Sequence, residues 1–191
     1  ISPPVQEHLP IYIASLRPRN LSLTGEVSDG WLPIWLNRER VPDLKELVSA
    51  GASKSGRNIT DVTVAPYLMC YTAEGPEDLA HGEQLLRAHM AYYIGGMGTF
   101  YFESFSRAGF TTEAQAVRDA WTSGNRSRAA AAVSDKMMES VAVLGDAQQC
   151  QDQLAKFRQA GVDMPVATFP HGTDLEAIHR TIDALAPQKD G

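Results

Sequence analysis

Apolar segments without polar alternation recur along the chain and predict four buried strands. They lie at residues 10–14, 29–35 (with an exit loop), 62–71 and 164–169. A continuous apolar run is typical of a strand that is covered on both faces, as in a parallel sheet packed against helices. Pro66 lies inside the third run, where it removes one ladder donor and indicates a bend or an edge.

Helical patterns follow the first three strands. Pro18 suits the first turn of a helix that runs to Val27, and residues 42–50 form an amphipathic helix. From residue 76 to about residue 142 the pattern is helical only, which we interpret as an insertion of several helices. The glycine-rich segment 95–98 joins two of these helices, because no strand precedes it and no Lys-Ser or Lys-Thr pair follows it as in a phosphate loop.

The C-terminal segment repeats the strand and helix pattern. Asp146 caps a helix that Gly161 ends, and the last helix spans residues 173–185. We expect its apolar residues to face inward: Leu175, Ile178, Ile182 and Leu185. We expect the tail after Pro187 to fray. Strands that alternate with helices predict an α/β protein, and both a doubly wound sheet and a piece of a barrel fit this pattern.

Composition narrows the functional classes. The formal net charge of −6 argues against nucleic acid as a partner, because an acidic surface does not replace phosphate counterions. No apolar run is long enough for a membrane span, and Cys70 and Cys150 lack the spacing of a disulfide framework or a metal site. These features predict a cytoplasmic protein without a metal. The chain begins at Ile1 rather than Met and soon enters a strand, from which we expect a fragment or a processed product.

The segment Ser15–Asn20 is the first candidate site. It leads from a strand into a helix, and the N-terminus of a helix offers unpaired N–H groups and a favourable dipole to an anion. Ser15 adds a hydroxyl group, while Arg17 and Arg19 add charges that suit phosphate. The alternative is an ordinary loop with two solvated arginines.

Two other strand ends could contact a ligand. Trp31 follows Asp29-Gly30 and could lie over a ring-shaped ligand, although a buried Trp usually belongs to a core. Phe169 and His171 lie at the carboxyl end of the last strand, where ligands of parallel α/β folds collect. A His in a surface turn is the alternative for His171. The other four histidines have no partners at ligand or catalytic spacing: His8, His81, His89 and His179.

Three segments resemble the bacterial luciferase-like monooxygenase superfamily. The first runs from Pro10 to Trp31 and includes Gly25-Glu26 and Asp29-Gly30. The second joins residues 92–98 to residues 107–110 and is similar to the branch that uses coenzyme F420, a deazaflavin. The third pairs residues 143–146 with residues 160–163. The three segments occur in the family's order and together cover nearly the whole chain.

The resemblance implies one partial domain over residues 1–191, the C-terminal part of a (β/α)₈ TIM barrel, with the four strands as its fifth to eighth. It implies an oxidoreductase or monooxygenase that uses reduced F420, or FMN instead, to transfer hydride to a small organic substrate or to oxygenate it. The cofactor phosphate would lie near Ser15, Leu16, Arg17 and Arg19, and Arg17 stands where the family has Gly. Catalytic residues remain unassigned, because the family's proton-transfer residues lie in the missing strands.

An incomplete barrel needs a partner. At about 25 cal/mol per Å², roughly 400 Å² of apolar surface left in water forfeits about 10 kcal/mol, which is comparable with the stability of a whole domain. We therefore expect a homo-oligomer or an association with the missing N-terminal half. The alternative to an enzyme is a non-catalytic half-barrel module that binds a ligand or forms a dimer.

Overall fold

The structure, a computed structural model, describes residues 6–187. The strands within this range are β1 (Tyr12–Ile13), β2 (Gly30–Trp31), β3 (Thr63–Val64), β4 (Tyr67–Thr72), β5 (Ala142–Gly145) and β6 (Val166–Thr168). Their pairings are all parallel. The predicted fraying after Pro187 falls on residues 188–191, outside the described range.

Four strand positions follow one another across the sheet in chain order. β2 pairs with β1 and with β3, and a bridge between Ile34 and Tyr67 continues this contact to β4. β6 pairs with the opposite side of β4 from β5. A doubly wound sheet reverses its strand order at a switch point, whereas barrel strands keep the order of the chain. The order observed for β1, β2, β3–β4 and β6 agrees with barrel strands.

Pro66 and Ala65 divide the third predicted run into β3 and β4, which agrees with the bend expected at the proline. Both segments remain parallel to their neighbours. Among the strands of residues 6–187, β3 pairs with β2 alone, and the pairing with β6 begins after the interruption, at Tyr67. The interruption therefore separates two three-stranded sheets that the Ile34–Tyr67 bridge connects.

The prediction missed β5. Residues up to 142 fit a helical pattern and Asp146 fits a helix cap, so the three residues between them gave no separate signal. Pairing with β4 creates the strand, in the register Met69 to Ala142 and Thr72 to Gly145. The side chain of Gln153 accepts a hydrogen bond from the Leu144 N–H at 3.1 Å and donates one to the Leu144 carbonyl at 2.8 Å. These bonds replace the ladder partners that an edge strand lacks.

The helices of residues 6–187 fall into two groups. Those that accompany the strands are α1 (Pro18–Val27), α2 (Val41–Lys54), α8 (Ala147–Gln159) and α9 (Leu175–Leu185). Those between β4 and β5 are α3 (Pro76–Gly96), α4 (Phe100–Arg107), α5 (Thr111–Thr122), α6 (Arg126–Ala131) and α7 (Asp135–Val141). The glycine-rich segment joins α3 to α4 as predicted. A Cβ atom at Gly95 would lie 2.5 Å from the Trp121 side chain, so this Gly allows α3 to pack against α5.

Two buried clusters hold these groups together. One cluster lies between the strands and α1, α2 and α8, and includes Trp31, Val48 and Phe157. The other fills the helical insertion and reaches the sheet through Met69 and Trp35. Cys70 and Cys150 are free, buried thiols, as expected for small apolar residues. The insertion therefore has its own core, anchored at the carboxyl ends of the strands.

Two glycines set the distance between α1 and α2. A Cβ atom at Gly25 would lie 1.9 Å from the Val48 carbonyl oxygen, and one at Gly51 would lie 1.9 Å from the Ser22 carbonyl oxygen. Both clashes involve backbone atoms, which a change of rotamer does not relieve. The absence of side chains at these two positions therefore determines where α1 lies, and with it the N-terminus of α1.

The inward orientation predicted for α9 is wrong for Leu175 and Ile182, whereas Ile178 and Leu185 are half-buried and Leu185 packs against the strand-side core. The buried positions of α9 are Ala177 and Thr181, whereas Leu175 is 72% exposed and Ile182 is 49% exposed. The Thr181 hydroxyl accepts a hydrogen bond from the Thr72 backbone N–H at 2.9 Å, which attaches the polar side of α9 to β4. Leu175 and Ile182 thus have little cover within the described residues, although the sequence pattern is that of a core-facing helix.

Candidate functional site

The predicted site residues other than Trp31 lie at one edge of the molecule. Ser15–Arg19 follow β1, and Phe169 and His171 follow β6. Trp35, which was not predicted as a site residue, follows β2. Because these strands are parallel, their carboxyl ends meet at the same edge, which is where parallel α/β proteins bind ligands. The helical insertion, which leaves the sheet at the end of β4, also begins at this edge.

The Ser15 side chain lies inside the protein. Its hydroxyl is 2.8 Å from the Thr24 hydroxyl, which itself donates to the Asn20 carbonyl at 2.8 Å. Thr24 therefore accepts from Ser15, and the Ser15 hydroxyl is engaged within the loop. This placement does not favour the predicted contact between this hydroxyl and phosphate. Ser15 instead fixes the turn that precedes α1.

Trp31 is fully buried, and its indole N–H donates to the Ser15 carbonyl at 2.8 Å. The ring packs in the core between the strands and α2, with no exposed face. The alternative reading of Trp31 as a core residue fits this placement, and a position over a ring-shaped ligand does not. Its hydrogen bond also orients the Ser15 loop from below.

The N-terminus of α1 has no side-chain cap. Arg17 occupies the cap position and Pro18 follows it, and no side chain accepts from the first-turn N–H groups. The backbone N–H groups of Arg19 and Asn20 therefore remain available to an anion at the positive end of the helix dipole. Leu16 is half-buried behind this turn and packs against the strand-side core.

Arginines outnumber acidic groups around this helix end. Arg17 and Arg19 are exposed, and the Arg17 guanidinium lies 3.2 Å from a Glu103 carboxylate oxygen on α4. Arg107 contacts the same carboxylate oxygen at 2.9 Å. Three guanidinium groups and one carboxylate leave a positive charge at the N-terminus of α1, so the helix dipole and the side chains both favour an anion.

A row of aromatic rings runs from Arg17 into the insertion. The Arg17 guanidinium lies 5.1 Å from the Phe100 ring centre. Tyr101 contacts Phe100 with 5.1 Å between ring centres and Tyr93 with 4.8 Å, and Tyr93 contacts Trp35 with 5.5 Å. Burial, followed by the neighbouring Tyr93, raises the pKa of Tyr101, so its hydroxyl stays protonated at neutral pH. The row is a continuous series of aromatic contacts beside the N-terminus of α1.

Trp35 occupies an unusual backbone conformation. Its φ of 56° is the only positive φ at a non-glycine position in residues 6–187. Such a conformation costs on the order of 1–3 kcal/mol and persists only where surrounding contacts enforce it. Here the side chain is 3% exposed and packs against the insertion core. These contacts therefore hold Trp35 at one end of the aromatic row, a position that no sequence motif indicated.

The turn after β6 lies against the insertion. Phe169 is half-buried, His171 is exposed, and the His171 backbone N–H donates to His89 Nδ1 on α3 at 3.0 Å. No hydrogen bond or ion pair in the described part of the chain joins His171 to Ser15–Arg19. The structure thus places the two predicted groups at the same edge without direct contact.

Two histidines have partners that the sequence did not indicate. His89 accepts from the His171 backbone, and His8 Nε2 lies 2.9 Å from an Asp29 carboxylate oxygen. The Ile11 backbone N–H and then His8 lower the pKa of Asp29 through hydrogen bonds. These partners are 82 and 21 residues away in the chain, so motif spacing did not reveal them.

No three His, Cys, Asp or Glu side chains of residues 6–187 lie close enough together to hold a metal ion. None of the helices there combines the length and hydropathy required to cross a bilayer.

Comparison with known protein families is decisive for the fold. The family model described as luciferase-like monooxygenase matches residues 1–164. The chain belongs to the luciferase-like monooxygenase family. The candidate site therefore lies on a chain of this family, and both Arg17 and Trp35 fall within the matched residues.

Two curated relatives of this luciferase-like chain have names that refer to redox enzymes. A proposed coenzyme F420-dependent oxidoreductase of Mycobacterium tuberculosis is 28% identical over 176 residues, which are 88% of this chain and 49% of the relative. The 5,10-methylenetetrahydromethanopterin reductase of Methanolobus tindarius is 29% identical over 179 residues, 91% of this chain and 52% of the relative. The chain spans about half the length of these relatives.

A solved structure has the same fold. The coenzyme F420-dependent tetrahydromethanopterin reductase from Methanopyrus kandleri superposes with a TM-score of 0.73 at 24% identity. The match covers 91% of this chain and 49% of that chain. At this identity the similarity establishes the α/β fold with its parallel strands.

Proposed function

We propose that this chain is the C-terminal part of a (β/α)₈-barrel oxidoreductase that uses reduced coenzyme F420, or FMN as the alternative. The parent enzyme would transfer hydride to a small organic substrate or oxygenate it. The observation that supports this function best is the uncapped N-terminus of α1 with Arg17 and Arg19, at the carboxyl edge of the strands. The F420-dependent names of the relatives favour the deazaflavin.

The residues present fit the phosphate part of either cofactor. The first-turn N–H groups of α1 have no side-chain cap, Arg17 and Arg19 add exposed guanidinium groups beside them, and phosphate binds to such helix ends. Leu16 supplies the apolar floor of the turn. Arg17 has a large side chain where the family has Gly, and its guanidinium lies 5.1 Å from the Phe100 ring centre. When bound, the cofactor supplies the redox chemistry, and this chain binds its phosphate and orients it.

Two open surfaces support the proposal that the barrel is partial. β1 pairs with β2 on one side and has no strand on its other side within residues 6–187. Ile11 beside β1 is 57% exposed, and the apolar side of α9 is uncovered at Leu175. In a closed barrel the strands at both ends of this series pair with the missing ones. We propose that the N-terminal half, or a second copy of the chain, covers these surfaces.

The test is a fluorescence titration of the purified chain with F420 and with FMN. Saturable binding of one of them supports the oxidoreductase. The Arg17→Glu variant should lose on the order of 1–3 kcal/mol of binding free energy, the contribution of charge-assisted hydrogen bonds. Unchanged affinity in this variant would contradict the assignment of the phosphate site.

The second candidate is a non-catalytic half-barrel module that binds a ligand or forms a dimer. The exposed apolar residues Leu175 and Ile182 of α9 favour it, because they provide an association surface whether or not a cofactor binds. A homogeneous oligomer that binds neither F420 nor FMN would favour the module over the enzyme.

A further inference from the structure

A cleft lies between α3 and the turn after β6. Its volume of about 510 Å³ falls within the range of small-molecule sites. Its lining residues are Leu85, Ala88, His89, Tyr92, Tyr93 and His171. Lys, Arg, Asp and Glu are absent from this lining, so the cleft suits an uncharged, largely apolar ligand.

The His89 ring has a defined tautomer. The His171 backbone N–H donates to Nδ1 at 3.0 Å, so Nδ1 must present a lone pair. The neutral ring therefore has its proton on Nε2. Burial, with the neighbouring His171 second, lowers the pKa of His89 and keeps the ring neutral at physiological pH. Within residues 6–187, Nε2 has no hydrogen-bond partner, so it remains available as a donor.

Two aromatic rings pack against the His89 ring. The Tyr93 ring lies 5.3 Å from the His89 ring with an interplanar angle of 32°, and Trp35 contacts His89 edge-on at 5.6 Å. Tyr92 is 48% exposed at the mouth of the cleft. Flat ring systems stack against such faces, so a planar molecule gains contact area on entering.

We propose that this cleft binds an uncharged, planar organic molecule and that His89 Nε2–H donates a hydrogen bond to its carbonyl oxygen or ring nitrogen. This inference rests on the proposed function, because it describes the substrate side of the same edge. The main-chain N–H of His171 is the positioning group, since it fixes the tautomer. His89, rather than His171, is then the residue that determines specificity for an acceptor.

The test uses two probes of nearly the same shape, acetophenone and ethylbenzene, of which only acetophenone has an acceptor. Binding to the whole chain is followed at neutral pH through the ¹⁵N signals of the His89 ring. We expect acetophenone to bind about five- to tenfold more tightly, as one neutral hydrogen bond would give. The His89 signal should report an Nε2–H tautomer, and its Nε2 shift should move on binding of acetophenone.

Two variants separate hydrogen bonding from packing. His89→Phe keeps a ring without a donor and should lose the preference for acetophenone. His89→Gln can accept from the His171 N–H through its carbonyl and donate through its amide, and should recover part of the preference. If His89→Phe does not fold, the His89→Gln variant and the tautomer observed in the wild-type protein still test the proposal.

Several results would overturn the inference: equal affinity for the two probes, binding of neither at millimolar concentration, an Nδ1–H tautomer, or an unchanged preference in folded His89→Phe. No cofactor is added in this experiment. Its failure therefore differs from failure of the proposed function, which is measured by F420 and FMN binding at α1.

Discussion

Replacing Gly51 by Ala tests the packing that positions α1. Helix propensity alone predicts that this substitution stabilises the protein by about 1 kcal/mol, because Ala loses less backbone entropy in a helix than Gly does. The structure predicts the opposite sign. The new Cβ atom would lie 1.9 Å from the Ser22 carbonyl oxygen, an atom of the α1 backbone.

The expected magnitude follows from this contact. A carbon atom and a carbonyl oxygen normally approach no closer than about 3.3 Å, so α1 and α2 must separate by more than about 1 Å. Gly25 makes the reciprocal contact with Val48, so a shift at one glycine also disturbs the other. Overpacking of this kind costs up to about 3 kcal/mol. After the gain from propensity, we expect a net loss of about 2 kcal/mol.

Urea unfolding followed by circular dichroism measures this loss. The matched control is Ala50→Gly at the exposed neighbouring position on α2, which has the propensity effect without the contact. It should lose about 1 kcal/mol. A Gly51→Ala variant that is as stable as the wild type, or more stable, would refute the close crossing of α1 and α2.

Three further predictions concern other contacts. Asp78→Asn removes the carboxylate that holds Arg180 at 2.6 Å and should cost about 1–2 kcal/mol at neutral pH, discounted for an Asp78 side chain that is 25% exposed. Burial opposes ionisation of Asp78, but the Tyr71 hydroxyl, the Glu74 N–H and Arg180 outweigh it and lower the pKa of Asp78. The stability that the carboxylate contributes is therefore lost in acid. If Asp78→Asn still destabilised the protein in acid, the ion pair would be contradicted. Because the pKa of His89 is lowered in the folded protein, the unfolded chain protonates first as pH falls through about 6.5, and stability decreases there. Urea unfolding at a series of pH values should show a flatter pH dependence of stability for His89→Gln than for the wild type. Equal slopes of unfolding free energy against pH in the two proteins would count against this. Leu175→Gln should change folding stability by less than about 0.5 kcal/mol yet weaken association in light scattering, and unchanged association would argue against a covered α9.

Elements with a strong local pattern were predictable from the sequence. The apolar run 62–71 and its break at Pro66 appear as β3 and β4, and the glycines at 95–98 end one helix before the next begins. β5 was not predictable, because a four-residue strand depends on pairing with β4 rather than on its own residues. The orientation of α9 depends likewise on which surfaces are present to cover it.

The sequence could predict only those parts of the candidate site that directly follow a strand in the chain. Strand ends and parallel pairing suffice to place Arg17 and His171 at one edge. The aromatic row and the contact between His89 and His171 require the insertion to fold over that edge. Trp35 had no local signal, because its positive φ and its contact with Tyr93 are tertiary effects.

The claim that the N-terminus of α1 holds the cofactor phosphate is tested most directly by ligands that differ in this group. FMN and riboflavin form one such pair, and F420 and its phosphate-free deazaflavin form another. In fluorescence titrations we expect the phosphate-bearing member to bind at least about tenfold more tightly. The preference should vanish in Arg17→Glu and persist in Arg158→Glu, whose exposed side chain lies at the end of α8, at the opposite edge of the strands. Equal affinity within each pair, or an equal loss in both variants, would contradict the claim.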